Sequence, residues 1–103
     1  MEFGTKNKLL KAYGKGLAEK IYRASEQNVE ISSGATFRGT FDNYLGMYLN
    51  SADGLKNKDR NLVIEGLAEG FLEKGLLTDA YDLYKVSNPK KAKLIHRLLK
   101  FDL

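Results

Sequence analysis

Cysteine and tryptophan are absent from the 103-residue chain, and proline and histidine occur once each, as Pro89 and His96. Without cysteine there can be no disulfide, no thiolate zinc site and no thiol nucleophile. A single histidine cannot build a histidine-rich metal centre, so neither a metal nor a cofactor is expected. No window reaches the eighteen or so uninterrupted apolar residues of a membrane span, and the opening MEFGTKNKLLK lacks the apolar run of a signal peptide. A cytoplasmic protein with no membrane partner fits these absences. The pairs in EFGT are what common restriction sites encode, so residues 1–5 read as a cloning remnant and carry no functional expectation.

Apolar residues make up 43% of the chain and charged residues 29%, which suits a folded chain and not a disordered one. At this length one helical domain spanning 1–103 buries about 65% of its unfolded surface, enough for a core without staples. The net charge of +4 is modest, and its distribution is more informative. Residues 1–23 carry Lys6, Lys8, Lys11, Lys15, Lys20 and Arg23 against Glu2 and Glu19. Residues 61–84 carry Glu65, Glu69, Glu73, Asp79 and Asp82 against Lys74. Residues 85–103 carry Lys85, Lys90, Lys91, Lys93, Arg97 and Lys100 against Asp102. The chain is charged in stripes: basic, acidic, basic.

Hydrophobic spacing predicts an all-α bundle of about five helices. From Thr5, a plausible N-cap, to about Gln27, Leu10, Tyr13, Leu17, Ile21 and Ala24 recur every three or four residues. Gly14 and Gly16 would each cost about 1 kcal/mol inside that helix, so a close contact or local flexibility must account for them. NVEISSGATFRG interrupts the pattern with alternating Val29 and Ile31 and a Ser-Ser-Gly turn, which predicts a short hairpin or an irregular loop over 28–38. A second helix is expected from Thr40, burying Phe41, Tyr44, Leu45 and Tyr48. A third runs from about Lys58 to Lys74 with Ile64, Leu67, Ala68 and Phe71 on one face, and Gly75 ends it. Thr78 is expected to cap a fourth helix carrying Ala80, Leu83 and Tyr84. Asn88-Pro89 starts a fifth, in which Ala92, Ile95, Leu98 and Leu99 face the core. The repeated GLAE at 16–19 and 66–69 hints at an internal duplication.

Ile64-x-x-Leu67-Ala68-x-x-Phe71, then Gly75, then Ala80-x-x-x-Tyr84 resembles a tetratricopeptide repeat over residues 64–84. The resemblance implies an antiparallel helical hairpin and, by analogy, a protein-binding concave surface. Thr78 to Lys100 can also be set against a DNA-reading helix-turn-helix. That motif wants glycine near Lys85, a small residue near Tyr81 and an apolar one near Lys91, and none of these is present.

Lys90, Lys93, Arg97 and Lys100 fall within an arc of about 80° at 100° per residue, forming a cationic stripe for phosphates or for an acidic protein surface. Lys8, Lys11 and Lys15, with Tyr22 further along, offer a second basic face, one that Glu19 and Glu26 interrupt. Glu65, Glu69 and Glu73 form an acidic row that either pairs with the fifth helix or drives self-association into a homo-oligomer. Catalytic chemistry finds little. His96 reads as a surface residue, YGKGLAEK lacks the pattern of a phosphate-binding loop, and Ser32, Ser33 and Thr36 have no evident base. The expectation is a small non-enzymatic regulatory, adaptor or inhibitor protein acting by binding another protein. The alternative is a nucleic-acid-binding regulator that uses the basic C-terminal helix.

Overall fold

A computed structural model describes residues 2–31 and 36–102, and it contains five helices: α1 (Glu2–Ile31), α2 (Phe37–Ala52), α3 (Asn57–Glu73), α4 (Leu77–Ser87) and α5 (Pro89–Asp102). There is no strand among the described residues. The short hairpin or irregular loop expected over 28–38 is helix over most of its described part: α1 continues through Val29 to Ile31, and α2 begins at Phe37. Positions 32–35, with Ser32 and Ser33, lie outside the described residues. Thr36, not Thr40, caps α2, its hydroxyl accepting the Gly39 N–H at 2.9 Å. Thr40 is instead buried.

Gly75 ends α3 as its sequence position implies. Its φ of +80° is the left-handed conformation that glycine adopts without penalty. Gly75 N–H then bonds Leu72 C=O at 3.0 Å and Leu76 N–H bonds Phe71 C=O at 2.9 Å, the paired closure of a Schellman motif. That closure places Leu76 at the start of α4, so Thr78 lies inside the helix and does not cap it. Asn88 serves two helices. Its backbone N–H closes α4 on Tyr84 C=O, and its side-chain oxygen accepts the Lys91 N–H at 3.4 Å, opening α5 behind Pro89.

The order of contacts fixes the arrangement. Lys6 meets Asp59, Lys11 meets Glu65 and Lys15 meets Glu73, so α1 and α3 run parallel. Asn88 meets Glu65 and Lys91 meets Glu69, so α5 runs parallel to α3 as well. α2 and α4 return in the opposite direction, and the whole is a slab of 48 × 34 × 19 Å.

α1 and α3 touch backbone to backbone. A β-carbon on Gly14 would collide with the Val63 carbonyl oxygen and lie 2.7 Å from Leu67 N; one on Gly66 would collide with the Lys11 carbonyl. One on Gly70 would come within 2.5 Å of Ala18 Cβ. Gly14 thus answers to packing, whereas Gly16, with nothing within 4 Å of the same construction, faces open space. The two GLAE segments therefore occupy unlike environments, with Gly66 in the crossing and Gly16 outside it.

Beside this crossing Leu17, Ile21, Val63, Ile64, Leu67 and Ala68 are buried together, with Ala80, Leu83, Ala92 and Ile95 completing the core. An aromatic chain runs through it: Tyr22 to Phe37 at 5.6 Å, Phe37 to Phe41 at 5.9 Å and Phe41 to Phe71 at 4.9 Å between centroids. The chain ties α1, α2 and α3 together. The link from α2 to α4 is polar. Arg38 grips the buried Asp79 through two bonds of 2.9 and 2.6 Å, which hold the guanidinium pKa above its ordinary value, and it lies over the Phe41 ring. Two expected core residues are exposed. Tyr13 turns 58% of its surface to solvent and Leu98 52%, the latter on the same flank of α5 as Lys91 two turns earlier.

Replacing Gly14 with alanine should destabilise the fold by about 2 kcal/mol or more, since the neighbouring backbone cannot yield. Two residues away, Gly16→Ala should stabilise it by about 0.5–1 kcal/mol through helix propensity alone. Phe71→Ala should cost about 3–5 kcal/mol. Urea unfolding of the three variants measures all of these; equal signs for the two glycine changes would contradict the crossing.

Candidate functional site: a cationic groove between helices 4 and 5

The acidic row of α3 is spent within the fold. Glu65, only 8% exposed, takes Lys11 Nζ at 3.4 Å and the Asn88 amide at 3.1 Å. Glu69 takes Lys91 at 3.4 Å and Glu73 takes Lys15 at 2.7 Å. α3 is flanked by a basic helix on either side, so its carboxylates pair with both. Of the two roles expected for the row, pairing within the chain is the one seen in this structure, with Lys91 of α5 and also with Lys11 and Lys15 of α1. The bond to Glu73 holds the Lys15 pKa above its ordinary value.

The same pairing takes up part of the basic face expected on α1. Lys11 and Lys15 are committed to α3, and Lys8 stays exposed but lines neither of the grooves described here. Tyr22 is no stacking platform. Its ring is half-buried, edge-on to Phe37, with Lys74 Nζ 5.0 Å above it. Lys74 in turn bonds Glu19 at 2.8 Å, raising the lysine pKa and lowering that of the carboxyl.

On α5 the outcome differs. Lys90, Lys93, Arg97 and Lys100 form no ion pair with any described residue, although Lys91, one position away from Lys90, does. The reason is angular. Lys91 lies on the flank facing α3, while the other four project from the flank facing α4 and from the outer side. Lys93, Arg97 and Lys100 form one wall of a groove of about 450 Å3, and Tyr81 and Lys85 of α4 form the other, above a floor of Pro89 and Ala92. His96 stands between the walls with its ring stacked on Tyr81 at 5.7 Å and 28°. Lys85 Nζ lies 5.0 Å from the Tyr81 centroid and 3.5 Å from Asp82. No carboxylate lines this groove.

A second groove of about 450 Å3 lies on the other flank of α5, where Leu72, Leu94 and Leu98 meet the Lys15–Glu73 and Lys91–Glu69 pairs. Its charges neutralise one another. Of the two grooves, the one between α4 and α5 combines apolar lining with three cations, Lys93, Arg97 and Lys100, that have no carboxylate partner among the described residues.

Sequence reasoning located Lys90, Lys93, Arg97 and Lys100 but missed Tyr81 and Lys85. These two stand four apart on α4, a one-face spacing that is visible in the sequence but equally compatible with many surfaces. Of the residues weighed for catalysis, Thr36 and His96 are described, whereas Ser32 and Ser33 lie outside the described residues. Thr36 is engaged as a cap, and His96 is engaged with Tyr81. Among the described residues, no group of three or more Asp, Glu, His or Cys side chains is placed to hold a metal ion, and no helix is long and apolar enough to cross a membrane. Comparison with protein-family models, with curated proteins and with solved structures gave no match.

The buried Tyr84 reports on the acidic row beneath α5. Burial, reinforced by Glu69, Glu65 and Glu73, pushes its phenol from 10.0 up to about 12. A pKa raised in the folded state means that the unfolded chain loses this proton first. The associated stability is present below pH 10 and is lost as pH rises towards 12. Tyr84→Phe should flatten the decline of stability across that window, and absorbance of the wild-type protein at the phenolate band should show one late-titrating tyrosine.

Proposed function

We propose that the protein is a small non-enzymatic binding module, a regulator, adaptor or inhibitor, that captures an acidic segment of another protein in the α4–α5 groove. One observation carries this reading. The fold pairs Lys6, Lys11 and Lys15 of α1 and Lys91 on the inner flank of α5 with its own carboxylates, yet leaves Lys90, Lys93, Arg97 and Lys100, gathered on one helix, without an acidic partner among the described residues. Complementary charge across an interface steers encounter and fixes register more than it adds affinity, which suits a reversible regulator. The apolar floor supplies the desolvated contact that charge alone lacks.

Nucleic acid is the competing ligand for such a stripe. Non-specific binding of single strands relies on open aromatic rings on which bases stack. In this groove Tyr81 is half-buried and already engaged by His96 and Lys85, which favours the protein reading. The tetratricopeptide-like pattern of α3 and α4 agrees with a protein-binding role, as an analogy only.

Affinity capture from cells of the source organism, after nuclease treatment, tests the proposal against the triple variant Lys93→Glu, Arg97→Glu, Lys100→Glu. The expected result is a protein partner that survives nuclease, binds less tightly as salt rises, and binds the variant at least about 100-fold more weakly. Retention that disappears with nuclease, or a partner indifferent to the triple change, would sink the reading.

A further inference from the structure

Resting on the reading above, we infer that the segment taken by the α4–α5 groove is itself an acidic amphipathic α-helix. It lies along α5 with carboxylates at i, i+3 or i+4, and i+7, and places an apolar side chain over Ala92 and the Tyr81 edge.

The spacing of the cations is the first support. Lys93, Arg97 and Lys100 stand at axial positions of about 0, 6 and 10.5 Å along α5, from the rise of 1.5 Å per residue. A helix lying alongside presents carboxylates at the same heights from positions i, i+4 and i+7, or from i, i+3 and i+7 if it runs the other way. An extended peptide repeats its same-face side chains about every 6.7 Å and drifts about 3 Å out of step by the third charge. A helix follows the stripe through all three.

The second support is that this molecule already contains such a contact. On the inner flank of α5, Lys91 meets Glu69 of α3 at 3.4 Å, in a row where Glu65 and Glu73 pair one turn away on either side with Lys11 and Lys15. The α3 row draws its cations from two helices, α1 and α5, whereas the outer flank of α5 offers Lys93, Arg97 and Lys100 from one helix with no acidic helix opposite among the described residues. The α3 row is already paired within the chain and Glu65 is buried, which favours a different protein over a second copy as the source of the acidic helix. The groove has two helical walls and an apolar floor, the setting in which an amphipathic helix docks by anchors three and four residues apart.

The test titrates the full chain into fluorescent, hydrocarbon-stapled helical peptides. One carries glutamates at i, i+4 and i+7; a second has the same composition with glutamates at i, i+2 and i+5, spread around the helix. A single-stranded oligothymidine is the third ligand. The striped peptide should bind at least about tenfold more tightly than the spread one, and Lys93→Ala, Arg97→Ala and Lys100→Ala should each weaken it about threefold, as partly exposed ion pairs do. Lys8→Ala, with its exposed cation on α1, should leave it unchanged, and circular dichroism should confirm that every variant keeps the helical fold. Equal affinity for the two peptides would overturn the helix while leaving capture of an acidic segment standing. Tighter binding of the oligothymidine than of either peptide would overturn both, as would the absence of binding by any of the three ligands at millimolar concentration.

Discussion

Everything in this fold is built around the place where α1 and α3 cross with no side chain between them. Gly14 admits the carbonyl of Val63, and Gly66 admits that of Lys11, so two parallel helices approach more closely than any residue with a β-carbon would allow. Close approach sets the register. Once Gly14 sits against Gly66, Lys6, Lys11 and Lys15 are placed opposite Asp59, Glu65 and Glu73 in order. Ion pairs this exposed contribute little to stability one by one, so their effect is to select one alignment of the helices.

That register also decides where charge remains available. With α1 on one side of α3 and α5 on the other, the acidic row is divided between them, and its capacity is exhausted by Lys11, Lys15 and Lys91. The four outward cations of α5 are left over. Uncompensated charge on the outer face of a well-paired molecule is thus a product of the same crossing that builds the core. Arg38 and Asp79 play the corresponding role on the opposite layer, where one bidentate pair fastens α2 to the first turn of α4. α4 therefore presents Tyr81 and Lys85 at a fixed position opposite α5.

Much of the architecture was legible because its causes are local. Three- and four-residue spacing marks a helix wherever it occurs, so the helices and most buried positions, such as Ile64, Leu67, Phe71, Ala80 and Tyr84, could be read directly. Gly75 and Asn88-Pro89 act through their own backbone geometry, which needs no distant partner, and both breaks fall where they were expected. The less regular start of α2 was misread because Thr36 and Thr40 are equally good caps by residue type. Only the packing that buries Thr40 separates them.

The sequence by itself therefore determined an all-α chain, the stop at Gly75, the start at Pro89 and the angular grouping of Lys90, Lys93, Arg97 and Lys100, since each follows from the period of the helix or from one residue's backbone. Tertiary structure decided the rest. Which glycine is a contact and which is open, which of Lys11, Lys15 and Lys91 are consumed, and which apolar residues, Tyr13 and Leu98 among them, remain exposed all depend on what lies across from a helix face. Periodicity gives the direction in which a side chain points along its own helix. It carries no information about which helix, fifty residues distant in sequence, stands on the other side.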